Sequence, residues 1–141
     1  MPGTTDLTTL LATMDPVLGD AELVFCCLPD AGLADRLSLS PVCCFIEQEG
    51  ISLIIGKSIA EQYGIAFETT FRAITLQVHS SLQAVGLTAA VAGRLAHHGI
   101  SANMVAAYHH DHIFVPTGDA ERALQALRDL QTEAAATRGV V

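Results

Sequence analysis

The chain has 141 residues, half of them apolar and 16% charged, with a formal net charge of −8. That length holds one ordinary domain or two very small ones sharing a core, and the composition is too apolar for a disordered protein. Residues 1–70 carry ten acidic side chains against two basic ones (Arg36 and Lys57), while 71–141 carry five of each. No basic cluster is available for phosphate backbones or anionic membranes, so nucleic-acid and membrane partners are not expected. No apolar run nears the roughly 18–20 residues needed to span a bilayer. The N-terminus lacks a basic region followed by an apolar stretch, so the expectation is a cytoplasmic protein without a signal peptide.

In chain order, Asp6 is placed to cap a short helix whose Leu7, Leu10, Leu11 and Met14 recur at helical spacing, and Pro16 ends the pattern. Residues 23–28 read as a buried strand and 29–40, with Pro, Gly and Asp, as a loop. Residues 42–48 and 51–55 read as strands joined by a turn at Glu49-Gly50. Residues 57–63 form a short helix closed by Gly64, and 65–70 a connector. Residues 71–78 alternate as a strand, although Ile74 breaks the period. A helix is predicted over 85–98, with Leu87, Val91 and Leu95 at spacing four and Gly99 closing it. Residues 100–108 and 112–115 read as a hairpin turning near His109-His110-Asp111. After Pro116, Asp119 caps a last helix with Ala120, Ala123, Leu124, Leu127 and Leu130 on one face, and the tail beyond Thr132 is expected to fray. The second half is then β-α-β-β-α, one strand short of the split β-α-β fold. Each half looks incomplete alone, so the expectation is two intertwined modules, 1–70 and 71–141.

The cysteines form two adjacent pairs, Cys26-Cys27 and Cys43-Cys44, without the spacing that lets two thiolates grip one metal. They read as reduced core thiols, with a zinc or redox site as the alternative. The cluster His109-His110-Asp111-His112 has the chemistry of a zinc site, yet no further ligand completes it, and packing, turn formation or an interface is the favoured role. His79 beside Ser80 and Ser81 lacks a nucleophile elbow and an orienting acid, so catalysis is not expected, and no metal or cofactor is called for. Glu47, Glu49 and Glu61 read as a solvated face.

The run Val85-Gly86-Leu87-Thr88-Ala89-Ala90-Val91-Ala92-Gly93-Arg94-Leu95-Ala96-His97-His98-Gly99-Ile100-Ser101-Ala102-Asn103-Met104 resembles the ACT signature: a glycine-containing loop opening a helix, a Gly-Ile exit, then a strand. It is similar to the regulatory domains of aspartate kinases and to CASTOR-type arginine sensors, and the whole chain resembles small bacterial tandem-ACT proteins. The likeness is strongest over 71–130. It implies an α+β fold of ferredoxin-like tandem ACT modules, antiparallel sheets with helices packed on one face. It also implies a non-enzymatic regulatory protein that binds an amino acid or related metabolite where modules or subunits meet, forms a homodimer and acts on a regulated enzyme. The alternative is an interaction or oligomerisation module without a ligand.

The residues permit such a site. A helix opening at Val85, Gly86 and Leu87 presents unpaired N–H groups suited to a carboxylate. Gly86 allows close approach, and Ser80, Ser81 and Thr88 add hydroxyls. The resemblance places Ala102, Asn103 and Met104 across from this loop, with the Asn103 amide and the strand backbone toward the ligand's amino group. Gly86 can equally serve a tight turn, and the serines a helix cap. Gly86→Val is expected to abolish binding and leave the fold intact.

Overall fold

The computed structural model describes residues 6–138, and packing divides these into two units, 6–19 with 72–138, and 20–71. The first unit is discontinuous in sequence. It opens with α1 (Leu7–Ala12), where the Asp6 carboxylate accepts the Thr9 N–H at 2.9 Å, followed by β1 (Pro16–Leu18). The chain returns with β5 (Phe71–Leu76), α4 (Leu87–His97), β6 (Asn103–Ala106), β7 (Asp111–Pro116) and α5 (Ala120–Arg138). The strands lie in the order β1-β5-β7-β6, with β1–β5 and β6–β7 antiparallel.

β1 was not expected from the sequence, where Pro16 only ends a helical pattern. It is the strand that the β-α-β-β-α reading lacks. Pro16, Val17 and Leu18 pair with Leu76, Thr75 and Ile74, and Gly19 N–H bonds the Ala73 carbonyl at 2.8 Å. Pro16 is tolerated as the first residue of a strand with one neighbour in this unit. Three residues are too few to show alternation, which is why the sequence pattern misses them.

Alternation along β5 and β7 puts Ile74, Leu76, Ile113 and Val115 on the helix-covered face, where they join Leu87, Val91 and Leu95 of α4, Leu124 and Leu127 of α5, and Leu10 and Met14 of the N-terminal segment. Gly99 ends α4 in a left-handed conformation, with Ile100 N–H bonding back to the Leu95 carbonyl at 2.9 Å. The last helix does not fray at Thr132. It runs to Arg138, tied by the Arg94–Glu133 ion pair and by Gln131, whose amide spans the α1–β1 turn through Asp15 N–H and the Ala12 carbonyl. Alanines at 134–136, strong helix formers, supply the propensity there.

The unit 20–71 contains β2 (Leu23–Leu28), α2 (Leu33–Ser38), β3 (Cys43–Glu47), β4 (Gly50–Gly56) and α3 (Lys57–Gln62), with strands ordered β3-β4-β2 and both pairs antiparallel. It repeats the β-α-β-β-α order around Val24, Leu39, Leu53, Ile55 and Ala60. α2 replaces the loop expected over 29–40; none of its residues is buried, so it lacks the apolar periodicity that marks a helix. The β3–β4 turn is Gln48-Glu49, closed by Gly50 at φ 146°, where a Cβ would stand 2.7 Å from the Pro29 Cα. Both units are thus α+β and ferredoxin-like.

The strand register keeps the two cysteine pairs too far apart for a disulfide. Cys26 and Cys44 both pair with Leu53, on opposite sides of β4, so about two strand spacings, ~9.5 Å, separate them. A disulfide needs Cα atoms within about 7 Å. All four thiols are free, and burial pushes the Cys26 thiol above its ordinary value, with Cys27 adding to it. No described helix is long and apolar enough to cross a membrane.

Candidate functional site

The site of interest lies within the discontinuous unit, at the start of α4. The chain leaves β5, passes the isolated bridge residue Ser80, and turns at Ser81, whose Oγ accepts the Gln83 N–H at 3.1 Å and whose carbonyl accepts the Ala84 N–H at 3.0 Å. Gly86 then opens the helix at φ 100°, ψ −16°. Among the described residues no side chain caps the helix. Its first N–H groups therefore keep their unpaired, partly positive character, because the first turn has no intrahelical acceptors. The serines do not act as the N-cap.

Below this turn is a cavity of about 80 Å³ lined by Ser80, Ser81, Leu82, Ala84, Leu87, Thr88, Ala106 and Asp111. Four of the nine residues singled out in the sequence (Ser80, Ser81, Leu87 and Thr88) come together there. Val85, Gly86, Ala102, Asn103 and Met104 do not line it. Val85 points outward at 82% exposure. Ala102 and Met104 pack on the hydrophobic core. Asn103 alternates to the other side of β6, and its amide donates to the Phe114 carbonyl at 3.4 Å. The β6 residue that reaches the cavity is Ala106.

Gly86 has a structural duty beside any ligand role. Its positive φ strains any residue with a Cβ, and a Cβ built there would lie 2.9 Å from Leu7 Cδ2 of α1. Gly86→Val therefore perturbs the fold together with the site and does not isolate binding.

Asp111 was visible in the sequence only as part of the histidine cluster, at a hairpin tip. The structure makes it the first residue of β7, paired with Ala106, and the turn occupies 107–110 with the Ala107 N–H bonding the His110 carbonyl at 3.0 Å. Alternation sets Asp111, Ile113 and Val115 on the core face, so the carboxylate ends that row at the rim where α4 begins. It is 8% exposed, and Oδ2 accepts from Ser80 Oγ at 2.8 Å; Ser80 is itself 9% exposed.

The histidines do not converge on one site. His112 lies on the opposite face of β7, where Nδ1 meets Thr75 Oγ1 at 2.9 Å; burial first, then His110, holds its pKa below the usual imidazole value, and Asp111 pulls weakly the other way. His109 sits between His79 and Tyr108 at ring-centroid distances of 5.3 and 4.9 Å. Among the described residues, no three His, Cys, Asp or Glu side chains gather as a metal cage.

The comparisons agree with the geometry. Two ACT-domain family models match in tandem, over residues 2–72 and 68–129. A crystal structure from Vibrio cholerae, of a protein of unknown function described as a possible transport protein, shares 49% identity and a TM-score of 0.77, over 85% of this chain and 92% of that one. The regulatory subunit of aspartate kinase from Thermus thermophilus, in its ligand-free form, matches at 13% identity and TM-score 0.60, over 84% of this chain and 98% of that one. E. coli aspartokinase III, in complex with aspartate and ADP, matches at 17% identity and TM-score 0.60, over 83% of this chain but 33% of the enzyme. At those identities the kinases attest the fold alone. No curated protein matches the sequence. The chain belongs to the ACT-domain family, with two ACT regulatory domains in tandem.

Proposed function

We propose that this protein is a non-catalytic regulator that binds an amino acid or a close analogue at the head of α4. The observation that carries the reading is the joining of an uncapped helix start to a small polar cavity. Backbone N–H groups of the first turn of α4 suit a carboxylate, and the hydroxyls of Ser80, Ser81 and Thr88 surround the cavity. The cavity volume matches a charged head group, and Leu82, 68% exposed at the rim, offers apolar contact to the body of a ligand projecting out. Within the cytoplasm such a protein would pass its ligand state to a regulated enzyme, as a homodimer.

A second reading, interaction or oligomerisation without a ligand, draws on the unit 20–71. Its edge strand β3 exposes Phe45 and Ile46, and α2 exposes Leu33 and Leu37. β3 carries one charge, Glu47 at its end, and an exposed strand edge bearing apolar side chains invites pairing.

A thermal-shift screen of the twenty amino acids separates the two. Binding at a concentration a hundred times Kd adds about 2.7 kcal/mol to the folded state, so at least one amino acid is expected to raise Tm by several degrees. No shift with any of the twenty, together with a dimer in light scattering that Ile46→Lys splits, would favour the second reading.

A further inference from the structure

Asp111 is a nearly buried carboxylate that lines the cavity and has no cationic partner among the described residues. A carboxylate 8% exposed normally has a cationic partner or several N–H donors, because taking an ion out of water is costly unless it is paired. Among the described residues Asp111 has one neutral donor, Ser80 Oγ, on Oδ2. Four of the basic side chains are engaged elsewhere: Lys57 with Glu22, Arg72 with Glu121, Arg94 with Glu133, and Arg122 with Asp119. The neighbouring imidazole of His112 faces away, bonded to Thr75. Asp111 meanwhile lines the cavity with Ser80, Ser81 and Thr88. Hydroxyls are neutral and turn their oxygens or protons to suit, so the carboxylate sets the sign of what enters.

We infer that this cavity is an ammonium pocket, with Asp111 as the counter-ion and the hydroxyls of Ser80, Ser81 and Thr88 as acceptors. The inference rests on the proposed binding site and names which end of the ligand is buried. The volume of about 80 Å³ equals roughly two to three waters, at ~30 Å³ each in the liquid. That accommodates a primary ammonium and its first methylene. A ligand carboxylate belongs outside this pocket, at the uncapped N–H groups of the first turn of α4, where Asp111 does not repel it. The ammonium has two sources, an α-amino group or the side-chain amine of a basic amino acid.

Titration of the full-length 15N-labelled protein, followed by amide shifts, tests this. n-Butylammonium is expected to shift the Ser81, Thr88 and Asp111 amides saturably, while butyrate leaves the Asp111 amide unmoved. Asp111→Asn keeps an acceptor for Ser80 and is expected to weaken n-butylammonium at least tenfold; Ser80→Ala, which leaves the carboxylate, is expected to weaken it less. L-Norleucine and Nα-acetyl-lysine then distinguish the sources, since each carries one of the two amines. An amino acid that binds while n-butylammonium does not, or equal n-butylammonium affinity in Asp111→Asn, overturns the ammonium pocket and leaves the amino-acid reading standing. n-Butylammonium binding that depends on Asp111, with none of the twenty amino acids binding, upholds the pocket and refutes the amino-acid reading. The titration of the unaltered chain decides even if a variant fails to fold.

Discussion

Asp111 and His112 are neighbours in sequence yet meet unlike surroundings, because successive strand residues face opposite sides of a sheet. In the sequence, His109-His110-Asp111-His112 looks like one polar cluster. In the fold, Asp111 joins Ser80 on the covered face and His112 joins Thr75 on the other. Nothing in four adjacent letters says where the turn ends and the strand begins, and a shift of one residue exchanges the two roles. The His112 pKa has a consequence for stability. An unfolded histidine titrates near about 6.5, and burial holds His112 lower in the folded chain. Folding therefore favours the neutral ring: this contribution is complete above about pH 6.5 and is lost as pH falls through the lower, folded value. The urea midpoint is expected to drop between about pH 7.5 and about pH 5.5, and to drop less in His112→Gln. Equal drops in the two proteins would assign the pH dependence to other groups.

At the level of elements, α1 and α2 make a useful contrast, since each has six residues and a leucine-rich sequence. α1 buries Leu10 fully beneath α4 and α5, whereas α2 buries nothing and leaves Leu33 at 64% exposure. Leu10→Ala is expected to cost about 2–5 kcal/mol through lost transfer energy and the remaining cavity. Leu33→Ala is expected to stay within about 0.5 kcal/mol. Chemical denaturation of both variants checks the pair, and a comparable loss in each would place Leu33 in an interface. The helix over 85–98 was legible because Leu87, Val91 and Leu95 keep one period and Gly99 closes it. α2 was not, because a helix that buries no stripe has no stripe to read. α5 outlasts its apolar pattern since its last turns are held by Glu133 on Arg94, a contact set by two side chains 39 positions apart.

For the molecule as a whole, the decisive feature is that residues 6–19 belong with residues 72–138. Their packing with 72–138 supplies two core side chains, Leu10 and Met14, and the fourth strand, β1. Gly19 and Ala73 are joined across the β1–β5 pair, so the chain leaves this unit and re-enters it between strands about 5 Å apart. Replacing residues 20–72 with Asn-Gly leaves the paired Gly19 and Ala73 on either side of a two-residue hairpin loop, and the shortened chain is therefore expected to fold cooperatively. It is also expected to retain ligand binding at the head of α4. A single urea transition with dispersed amide resonances checks this; a collapsed or aggregated product would show that the excised segment is needed for the other unit to fold.

Local patterns announced most of the strands and helices of this chain, the absence of a basic surface, and the family resemblance of its second half. Those are properties of short windows, where apolar period, capping residues and glycines act over a few positions. The fourth strand, the burial of Asp111 and the outward turn of Asn103 are of another kind. Each depends on which distant segment lies alongside, and on the one-residue register that chooses a face. Three residues at Pro16–Leu18 have no period of their own; they become a strand because β5 offers an unpaired edge and the core offers places for Leu10 and Met14.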